Sequence, residues 1–247
     1  MTQERPKTSE PIEPSRQKVW QMFDRISHRY DLLNRTLSLG RDIAWRNRLA
    51  DHLPDRPDLT VLDLATGTAD VLLTIDQRSG RVRSGIGLDM AGRMLEFGRE
   101  KIARHGADGR LRLIRADATS TPFDDRSFDA VSIAFGIRNL VSVELGLSEM
   151  FRLLRPAGRA LILEFSLPAN KLLRKLYLWY FRHVLPRIGG IVSGDSYAYR
   201  YLNQTVETFP YGEDFCRLMR DAGFRSVQAY PLTFGIATLY TGDRGED

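Results

Sequence analysis

Two acidic residues near the ends of neighbouring apolar runs are the first candidates for chemistry in this chain of 247 residues. Asp63 lies near the end of the run 60–65, and Asp89 ends the run 84–89. In open parallel sheets, ligands bind beyond the carboxyl ends of the strands, and an acid there can accept hydrogen bonds from both hydroxyls of a ribose. The spacing therefore predicts a site for a cofactor that contains a nucleoside.

The turn that follows Asp63 indicates which nucleoside cofactor fits. Residues 66–69 are small, but Gly67 is the only glycine among them, so the dinucleotide pattern G-x-G-x-x-G is absent. A pyrophosphate needs close backbone approach at a helix N-terminus, whereas a nucleoside without phosphates needs less. The turn thus favours S-adenosylmethionine over NAD, and the alternative is a tight strand–helix turn that binds nothing.

The elements that position these residues alternate between strand and helix. Apolar runs at 60–65, 84–89, 111–117, 128–135 and 159–165 are separated by helical stretches, which predicts an α/β fold with a mostly parallel sheet covered on both faces. Two late runs, 226–230 and 236–240, are joined by a short connection that predicts an antiparallel edge pair. We expect a disordered tail at 1–16 and a single domain at 17–247, beginning with a helical lid at 17–57.

Charge and composition exclude several classes of protein. The net charge is +5, and the excess lies between Ser166 and Arg200, so the balanced remainder argues against a nucleic-acid partner. A single cysteine, Cys216, and scattered histidines predict neither a disulfide framework nor a metal site. The N-terminus lacks the apolar core of a signal peptide, and no apolar run is long enough for a membrane span, so we expect a cytoplasmic protein.

The basic segment, 166–205, is predicted to contain an amphipathic helix. On a helical projection Lys171, Arg174, Lys175 and Arg182 form one ridge, and the opposite face is apolar. This combination is typical of a helix that lies on an anionic membrane surface. The alternative is a lid or dimer helix with solvated charges, which leaves a peripheral membrane protein and a homodimer both open.

Longer motifs carry a resemblance to a known family. The segments that carry it are VLDLATGTAD (61–70), GLDMAGRMLEFGREK (87–101), RADATSTPFDDRSFDAVSIAFGIRNL (115–140) and EMFRLLRPAGRALILEFS (149–166). Together they resemble class I S-adenosylmethionine-dependent methyltransferases, which implies a Rossmann-like fold with a seven-stranded sheet. FGIRN (135–139), RYDLLNRTLSLG (29–40) and YRYLNQTVETFP (199–210) narrow the resemblance to the ubiquinone/menaquinone biosynthesis C-methyltransferase family.

The resemblance implies a role for individual residues in binding S-adenosylmethionine. Asp63, Gly67 and Thr68 are expected at the methionine end, Asp89 at the ribose hydroxyls, and Met90 beside the adenine. The expected adenine contacts are Asp117, which accepts from the exocyclic amine, and Ala118, with Ala134 nearby. Ala134 stands where many members have serine, and Thr66 and Ala69 replace glycines common in the family.

The expected reaction is methyl transfer to a ring carbon of a polyprenyl quinol. A hydroquinone carbon becomes nucleophilic once a phenolic hydroxyl loses its proton, so the enzyme must align the ring, exclude water and assist with that proton. FGIRN follows the fourth predicted strand, so we expect Arg138 and Asn139 to face the methyl group, with Tyr30 of the lid touching the substrate. The alternatives are a structural salt bridge for Arg138 and a core position for Tyr30.

Three other functions stay open from the sequence. The chain resembles enzymes whose fold also methylates other aromatic small molecules, and it could also be a non-catalytic assembly protein that keeps the fold. The acids at 63, 89 and 117 argue against the non-catalytic reading. Nucleic-acid methylation has the least support, because the chain has no Asn-Pro-Pro-aromatic motif and little excess charge outside 166–200.

Overall fold

The computed structural model describes residues 19–184, Arg187 and 205–246. The predicted tail at 1–16 and most of the second half of the basic segment lie outside the described residues. Everything below concerns the described part of the chain.

A seven-stranded sheet forms the centre of the fold, in the order β3-β2-β1-β4-β5-β7-β6. The first five strands pair in parallel, and β7 pairs antiparallel with both β5 and β6. The order reverses between β1 and β4, which is where ligands bind in sheets of this kind. The strands are β1 (Leu59–Leu64), β2 (Val82–Asp89), β3 (Leu111–Arg115), β4 (Phe128–Ala134), β5 (Leu154–Phe165), β6 (Arg225–Leu232) and β7 (Ala237–Asp243).

Seven α-helices whose two ends are both described cover the sheet or extend beyond its carboxyl edge. They are α1 (Val19–Leu37), α2 (Arg41–Ala50), α3 (Asp70–Ser79), α4 (Gly92–Arg104), α5 (Val143–Leu153), α6 (Lys171–Trp179) and α7 (Glu213–Asp221) within the described residues. A 3₁₀ turn, Ile137–Asn139, follows β4, and a second, Thr233–Gly235, precedes β7. A π-helical turn, Tyr180–Val184, continues α6.

Alternate residues of each central strand enter different cores, as the twofold period of a strand requires. Leu62 and Leu64 of β1 pack with α5 and α7 in one cluster. Val61 packs with α2 and α3 in another cluster. This two-sided burial explains why the strands are almost continuously apolar, and it confirms the predicted mostly parallel sheet with an antiparallel edge pair.

The start of β5 differs from the predicted position. β5 begins at Leu154, directly after α5, whereas we expected it at Arg159. Its register against β4 shifts between Phe128 and Ala130, so the segment containing Pro156 forms a bulge that tolerates a proline.

The predicted apolar face of α6 is not buried. Leu172 and Leu176 are 76% and 62% exposed, and the buried side chain of α6 is instead Tyr177. On the predicted cationic ridge, Arg174 donates to the Pro168 carbonyl and Arg182 pairs with Glu207. The helix therefore turns its leucines to the solvent, an unusual arrangement that demands a partner.

Candidate active site

Two cavities lie at the carboxyl ends of the central strands, beneath α1. The smaller has a volume of about 200 Å³ and the larger about 620 Å³. Phe23, Tyr30 and Phe135 line both. The two cavities therefore meet at one aromatic wall, to which α1 contributes two rings and the β4 end contributes one.

The smaller cavity collects most of the residues that we expected to bind the cofactor. Its walls come from the ends of β1, β2, β3 and β4 and from the first turns of α1. Six of the eight expected cofactor residues line it: Gly67, Asp89, Met90, Asp117, Ala118 and Ala134. Trp20 and Asn139 line it as well.

Asp89 is fixed in the wall of the smaller cavity by two backbone donors. Its Oδ2 accepts a hydrogen bond from the Gly67 amide at 2.8 Å, and Oδ1 accepts one from the Ala91 amide at 2.8 Å. Burial raises the pKa of this carboxyl, although these amide donors oppose the shift. Each oxygen keeps a further lone pair, so the carboxylate suits the two hydroxyls of a ribose.

Asp117 is held less tightly, at the far end of the same cavity. Its Oδ1 accepts from both the amide and the hydroxyl of Thr119, each at 2.8 Å. Ala118 beside it is buried. This small polar edge fits one side of a purine ring.

Asp63 and Thr68, the other two expected cofactor residues, line neither cavity. Asp63 is 1% exposed and accepts hydrogen bonds from the hydroxyls of Thr66 at 2.6 Å and Ser132 at 2.7 Å. Burial raises its pKa to about 7. The carboxyl therefore connects the β1 turn to β4, and it does not line either cavity.

Thr68 instead connects the β1 turn to the lid. Its hydroxyl donates to Asp31 Oδ1 at 2.6 Å and accepts from Lys101 Nζ at 2.9 Å. Lys101 also pairs with Asp31 and with Asp70. These contacts hold α1 over the site from α4, which is a positioning role that the sequence did not predict.

The segment FGIRN forms a tight turn that divides the two cavities. Phe135 has a left-handed backbone with φ of 55°, which is costly for a bulky residue. Its amide donates to Leu163 and its carbonyl accepts from Arg138 Nη1 at 2.7 Å. A Cβ on Gly136 would lie 2.7 Å from the Ala65 Cβ, so only glycine fits there.

This turn separates the two residues that we expected to act together. Arg138 lines the larger cavity and Asn139 lines the smaller one. The side-chain oxygen of Asn139 is buried without a hydrogen-bond partner. Arg138 and Asn139 therefore lie on opposite sides of the boundary at which the two cavities meet, because consecutive residues of a 3₁₀ turn point about 120° apart. That both face the same reacting group stays a prediction.

Arg138 forms a buried ion pair with Glu164, near the end of β5. Arg138 is 6% exposed, Glu164 is fully buried, and Nη1 lies 2.5 Å from Oε1. The same Oε1 accepts from the Phe165 amide at 2.8 Å, and the guanidinium lies over the Phe165 ring at 5.3 Å. Arg138 therefore forms the structural salt bridge that was the alternative interpretation, and it also lines the larger cavity.

The rest of the larger cavity is mainly apolar and aromatic. Its walls come from α1, α2, α6, the β5 end and the 3₁₀ turn before β7, and they include Trp45, Phe165 and Tyr177. Burial raises the pKa of the Tyr177 hydroxyl, which has no hydrogen-bond partner. Tyr30, whose pKa is also raised by burial, stands between the cavities, so its placement at the substrate side is compatible with the structure.

Sequence reasoning missed Glu164 and Tyr177. Glu164 is an acid within the apolar run 159–165. An acid in such a run is the same pattern that identified Asp63 and Asp89, so the sequence contained the signal that could have identified Glu164. Tyr177 gave no signal, because a tyrosine in an amphipathic helix is usually a packing residue.

Comparison with known proteins agrees with this geometry. The model of the ubiE/COQ5 methyltransferase family matches residues 12–244. The ubiquinone/menaquinone biosynthesis C-methyltransferase UbiE of Geotalea daltonii is 46% identical over 92% of this chain and 97% of its own. The demethylmenaquinone methyltransferase of Thermus thermophilus is 44% identical over 90% of this chain and 100% of its own.

Solved structures support the fold. An S-adenosylmethionine-dependent methyltransferase from Thermotoga maritima superposes with a TM-score of 0.62 at 17% identity, covering 91% of this chain and 99% of that one. No helix within the described residues is long and apolar enough to cross a membrane.

Proposed function

The chain belongs to the ubiE/COQ5 methyltransferase family, and from this premise we propose that its smaller cavity binds S-adenosylmethionine and its larger cavity binds a polyprenyl hydroquinone. The chain is an S-adenosylmethionine-dependent C-methyltransferase of menaquinone or ubiquinone biosynthesis. The observation that carries the proposal is the shared aromatic wall, Phe23, Tyr30 and Phe135, between a cavity with acidic anchors and a much larger apolar one.

The smaller cavity offers a matching group for each part of the cofactor. Asp89 would accept from the ribose hydroxyls, and Asp117 from the exocyclic amine of the adenine. The unpartnered oxygen of Asn139 is an acceptor at the other end, where it suits the cofactor's amino group. When bound, the cofactor supplies an electrophilic methyl group at a sulfonium.

The larger cavity suits a ring with a long apolar tail. Its apolar walls would bury the prenyl chain, at about 25 cal/mol per Å² of apolar surface removed from water. Its polar end is formed by Arg138, backed by Glu164, and by the Tyr177 hydroxyl. Arg138 cannot act as a base, because its pKa is above about 12, but its charge would stabilise the phenolate that makes the ring carbon nucleophilic.

The mouth of the larger cavity supports a docking role on a membrane. Leu39, Leu176, Trp179 and Phe234 line the cavity and are between 56% and 85% exposed, although they come from three separate segments. Leu39 and Phe234 also have left-handed backbones. Soluble proteins seldom expose such a ring of large apolar side chains without a partner.

The charges beside this mouth indicate which partner it is. Lys171 and Lys175 are exposed on α6 beside Leu172 and Leu176, and neither forms an ion pair within the described residues. Exposed apolar side chains flanked by lysines fit an anionic lipid surface. We therefore propose that the mouth rests on the anionic bilayer that holds the substrate, so that the quinol enters without crossing water.

Methylation of two quinols tests the function. Purified protein is given S-adenosylmethionine with a labelled methyl group and either demethylmenaquinol or a demethylated ubiquinol precursor, in vesicles and under reducing conditions. We expect a ring-methylated product from at least one of them, identified by mass. Methylation of an unrelated phenol but of neither quinol would overturn the proposed substrate.

Vesicle flotation tests the docking surface. The variant Leu176→Ser/Trp179→Ser should float markedly less with vesicles that contain phosphatidylglycerol, and its KM for vesicle-bound quinol should rise. Leu145→Ser is the matched control, because Leu145 is 56% exposed on α5, away from both cavities. Equal flotation of both variants contradicts the docking proposal. A dimer in ultracentrifugation that only the double variant loses would assign this face to a second copy of the chain.

A further inference from the structure

Unpartnered polar atoms concentrate at the boundary between the two cavities. Within the described residues, five buried side-chain atoms have no hydrogen-bond partner, and four of them belong to Arg138, Asn139, Glu164 and Tyr177. Leaving such an atom buried and unpaired costs about 1–3 kcal/mol. Several such atoms in one place indicate groups kept ready for a ligand.

Glu164 has one oxygen engaged and one oxygen available. Oε1 accepts from Arg138 Nη1 and from the Phe165 amide, whereas Oε2 has no partner. Burial raises the pKa of this carboxyl and Arg138 opposes that shift. Glu164 is therefore an anion that the ion pair maintains and that burial makes easy to protonate.

Tyr177 is the cavity residue whose hydroxyl is available beside this ion pair. Its ring lines the larger cavity together with Arg138, and its hydroxyl, like Oε2 of Glu164, has no hydrogen-bond partner, so the two groups are not bonded to each other before a ligand binds. The other titratable groups that interact with this cluster are Tyr30 through Arg138, Tyr180 through Tyr177 and Tyr240 through Glu164. Among the described residues one carboxylate, Asp42, lines the larger cavity directly, and its two oxygens are already bonded to Ser38 and Arg46.

We propose that Glu164 accepts the phenolic proton of the bound hydroquinone, relayed by the Tyr177 hydroxyl. This inference rests on the proposed function. It supplies a proton acceptor, a role that Arg138 cannot fill because it stays protonated. The O–H bond of the phenol breaks and its electron pair stays on the ring oxygen. The proton passes to the Tyr177 oxygen as the tyrosine's own proton binds Oε2 of Glu164, through a hydrogen bond that forms when the substrate is bound.

The transfer keeps the charge of the buried site constant. Before it, the Glu164 anion balances the Arg138 cation, and after it the phenolate takes over that balance. The proton transfer itself therefore adds no net buried charge, which would be costly. Once the ring carbon has gained its methyl group and released its hydrogen to solvent as a proton, Glu164 returns the stored proton to the ring oxygen. One proton is thus released per turnover.

Turnover of Glu164→Gln across pH tests the proposal. The amide keeps an oxygen for Arg138 and the Phe165 amide but cannot accept the proton. We expect kcat to fall by about 10²- to 10⁴-fold at pH 7, the usual contribution of general base catalysis. The loss should shrink about tenfold per pH unit toward the phenolic pKa near 10, because the substrate then ionises by itself. The KM for the cofactor should not change.

Tyr177→Phe gives a second measurement that does not alter a charge. It should show the same pH-dependent loss, and the double variant should be no slower than the slower single variant, because both interrupt one relay. Glu149→Gln is the matched control, since Glu149 also pairs with an arginine, Arg152, but lies away from both cavities. Its kcat should equal that of the wild-type protein.

The results separate the relay from a positioning role. A loss in Glu164→Gln that is independent of pH and accompanied by a raised KM would mean that Glu164 only orients Arg138, and would overturn the proposal. A wild-type kcat in either relay variant would overturn it as well. Failure of the wild-type protein to methylate any quinol would instead refute the proposed function.

Discussion

Asp63, Asp89 and Glu164 all lie at or near the carboxyl end of a strand, yet their surroundings give them different roles. Asp89 meets two backbone amides and faces the smaller cavity. Asp63 accepts hydrogen bonds from two hydroxyls and is buried in the core. Glu164 meets an arginine and keeps one oxygen unpartnered. An acidic side chain near a strand end can therefore face a cavity, connect two strands, or keep one oxygen unpartnered, and the roles proposed for the three acids follow from these differences.

Replacing Asp89 should weaken cofactor binding. In Asp89→Asn the side chain keeps its shape but loses its charge and one acceptor. Hydrogen bonds to charged groups contribute about 1.5–3 kcal/mol, so the Kd for S-adenosylmethionine should rise about 10- to 100-fold in calorimetry. Asp55→Asn, whose ion pair with Arg81 is on the surface, should bind normally. Unchanged affinity in Asp89→Asn would remove Asp89 from the ribose site.

Asp63 should make the stability of the fold depend on pH. Its pKa is about 7 in the folded state and 3.8 ordinarily, so between these values the folded protein holds a proton that the unfolded chain has lost. Stability from this residue is present at low pH and is lost as the pH rises toward 7. Asp63→Asn has no carboxyl to ionise, so its stability does not fall in this way. The free energy of unfolding of the variant minus that of the wild-type protein should therefore increase from pH 5 to pH 8.

The size of that change follows from the pKa shift. One pKa unit corresponds to about 1.4 kcal/mol, so the increase should amount to a few kcal/mol at most. Urea denaturation at several pH values measures it, with the exposed Asp108→Asn as a control that should show no such trend. A difference between Asp63→Asn and the wild-type protein that stays constant with pH would contradict the prediction.

At the scale of elements, α1 connects the two halves of the site. Its residues Phe23 and Tyr30 line both cavities, so a movement of this helix opens both together. Two side chains fasten it: Asp24 Oδ1 accepts from the Arg93 amide at 3.0 Å, and Asp31 bonds to Thr68 and Lys101. Both fastenings reach α4 or the β1 turn, which also line the smaller cavity.

Loosening α1 should reduce cofactor affinity without unfolding the protein. In Asp31→Asn, the ion pair with Lys101 is lost and the bond to Thr68 is weakened, at a cost of about 1 kcal/mol. Amide hydrogen exchange within 19–37 should become faster, and the KM for the cofactor should rise about fivefold. Asp51→Asn, which breaks an ion pair with Arg78 at a distance from α1, should change neither quantity. Equal exchange in both variants would show that Asp31 does not hold the lid.

At the scale of the whole molecule, one sheet supports both cavities and both cores. The reversal of strand order between β1 and β4 creates a crevice at the carboxyl ends of the strands. Helices α1, α2 and α6 cover the part of this crevice that forms the larger cavity. The excess of basic residues lies in the sequence between Ser166 and Arg200, and α6 is the helix of that segment that the structure describes. Ligand binding at the crevice is therefore coupled to the stability of the entire domain.

Binding of the cofactor's product should raise the melting temperature of the whole domain. At 100 times its Kd, S-adenosylhomocysteine should stabilise the folded protein by about 2.7 kcal/mol. For a domain of this size, that is about 5–10 °C in a thermal melt. Asp89→Asn should show a clearly smaller shift at the same concentration. A separate early transition that the ligand does not move would show that part of the chain melts independently.

The sequence by itself determined the properties that follow from the local spacing of apolar, acidic and small residues. The twofold and 3.6-residue periods predicted the sheet, its antiparallel edge and the N-terminal helices, and the acids and small residues at strand ends predicted the cofactor cavity. Six of the eight residues that the family resemblance implied for cofactor binding line that cavity, and most of them lie at strand ends, whose backbone positions the sheet fixes. The family itself was evident from motifs such as FGIRN.

What only the tertiary structure decided was the direction in which each side chain acts. Thr68 reaches Asp31 and Lys101, Asp63 reaches Ser132, and Arg138 reaches Glu164, and each partner is remote in sequence. The leucines of α6 were predicted to form one apolar face, and only the structure shows that this face is exposed, since amphipathic periodicity identifies two faces without saying which contacts the core. Burial and partners are set by elements that meet only in the folded chain, and the roles of Glu164 and Tyr177 depend on them.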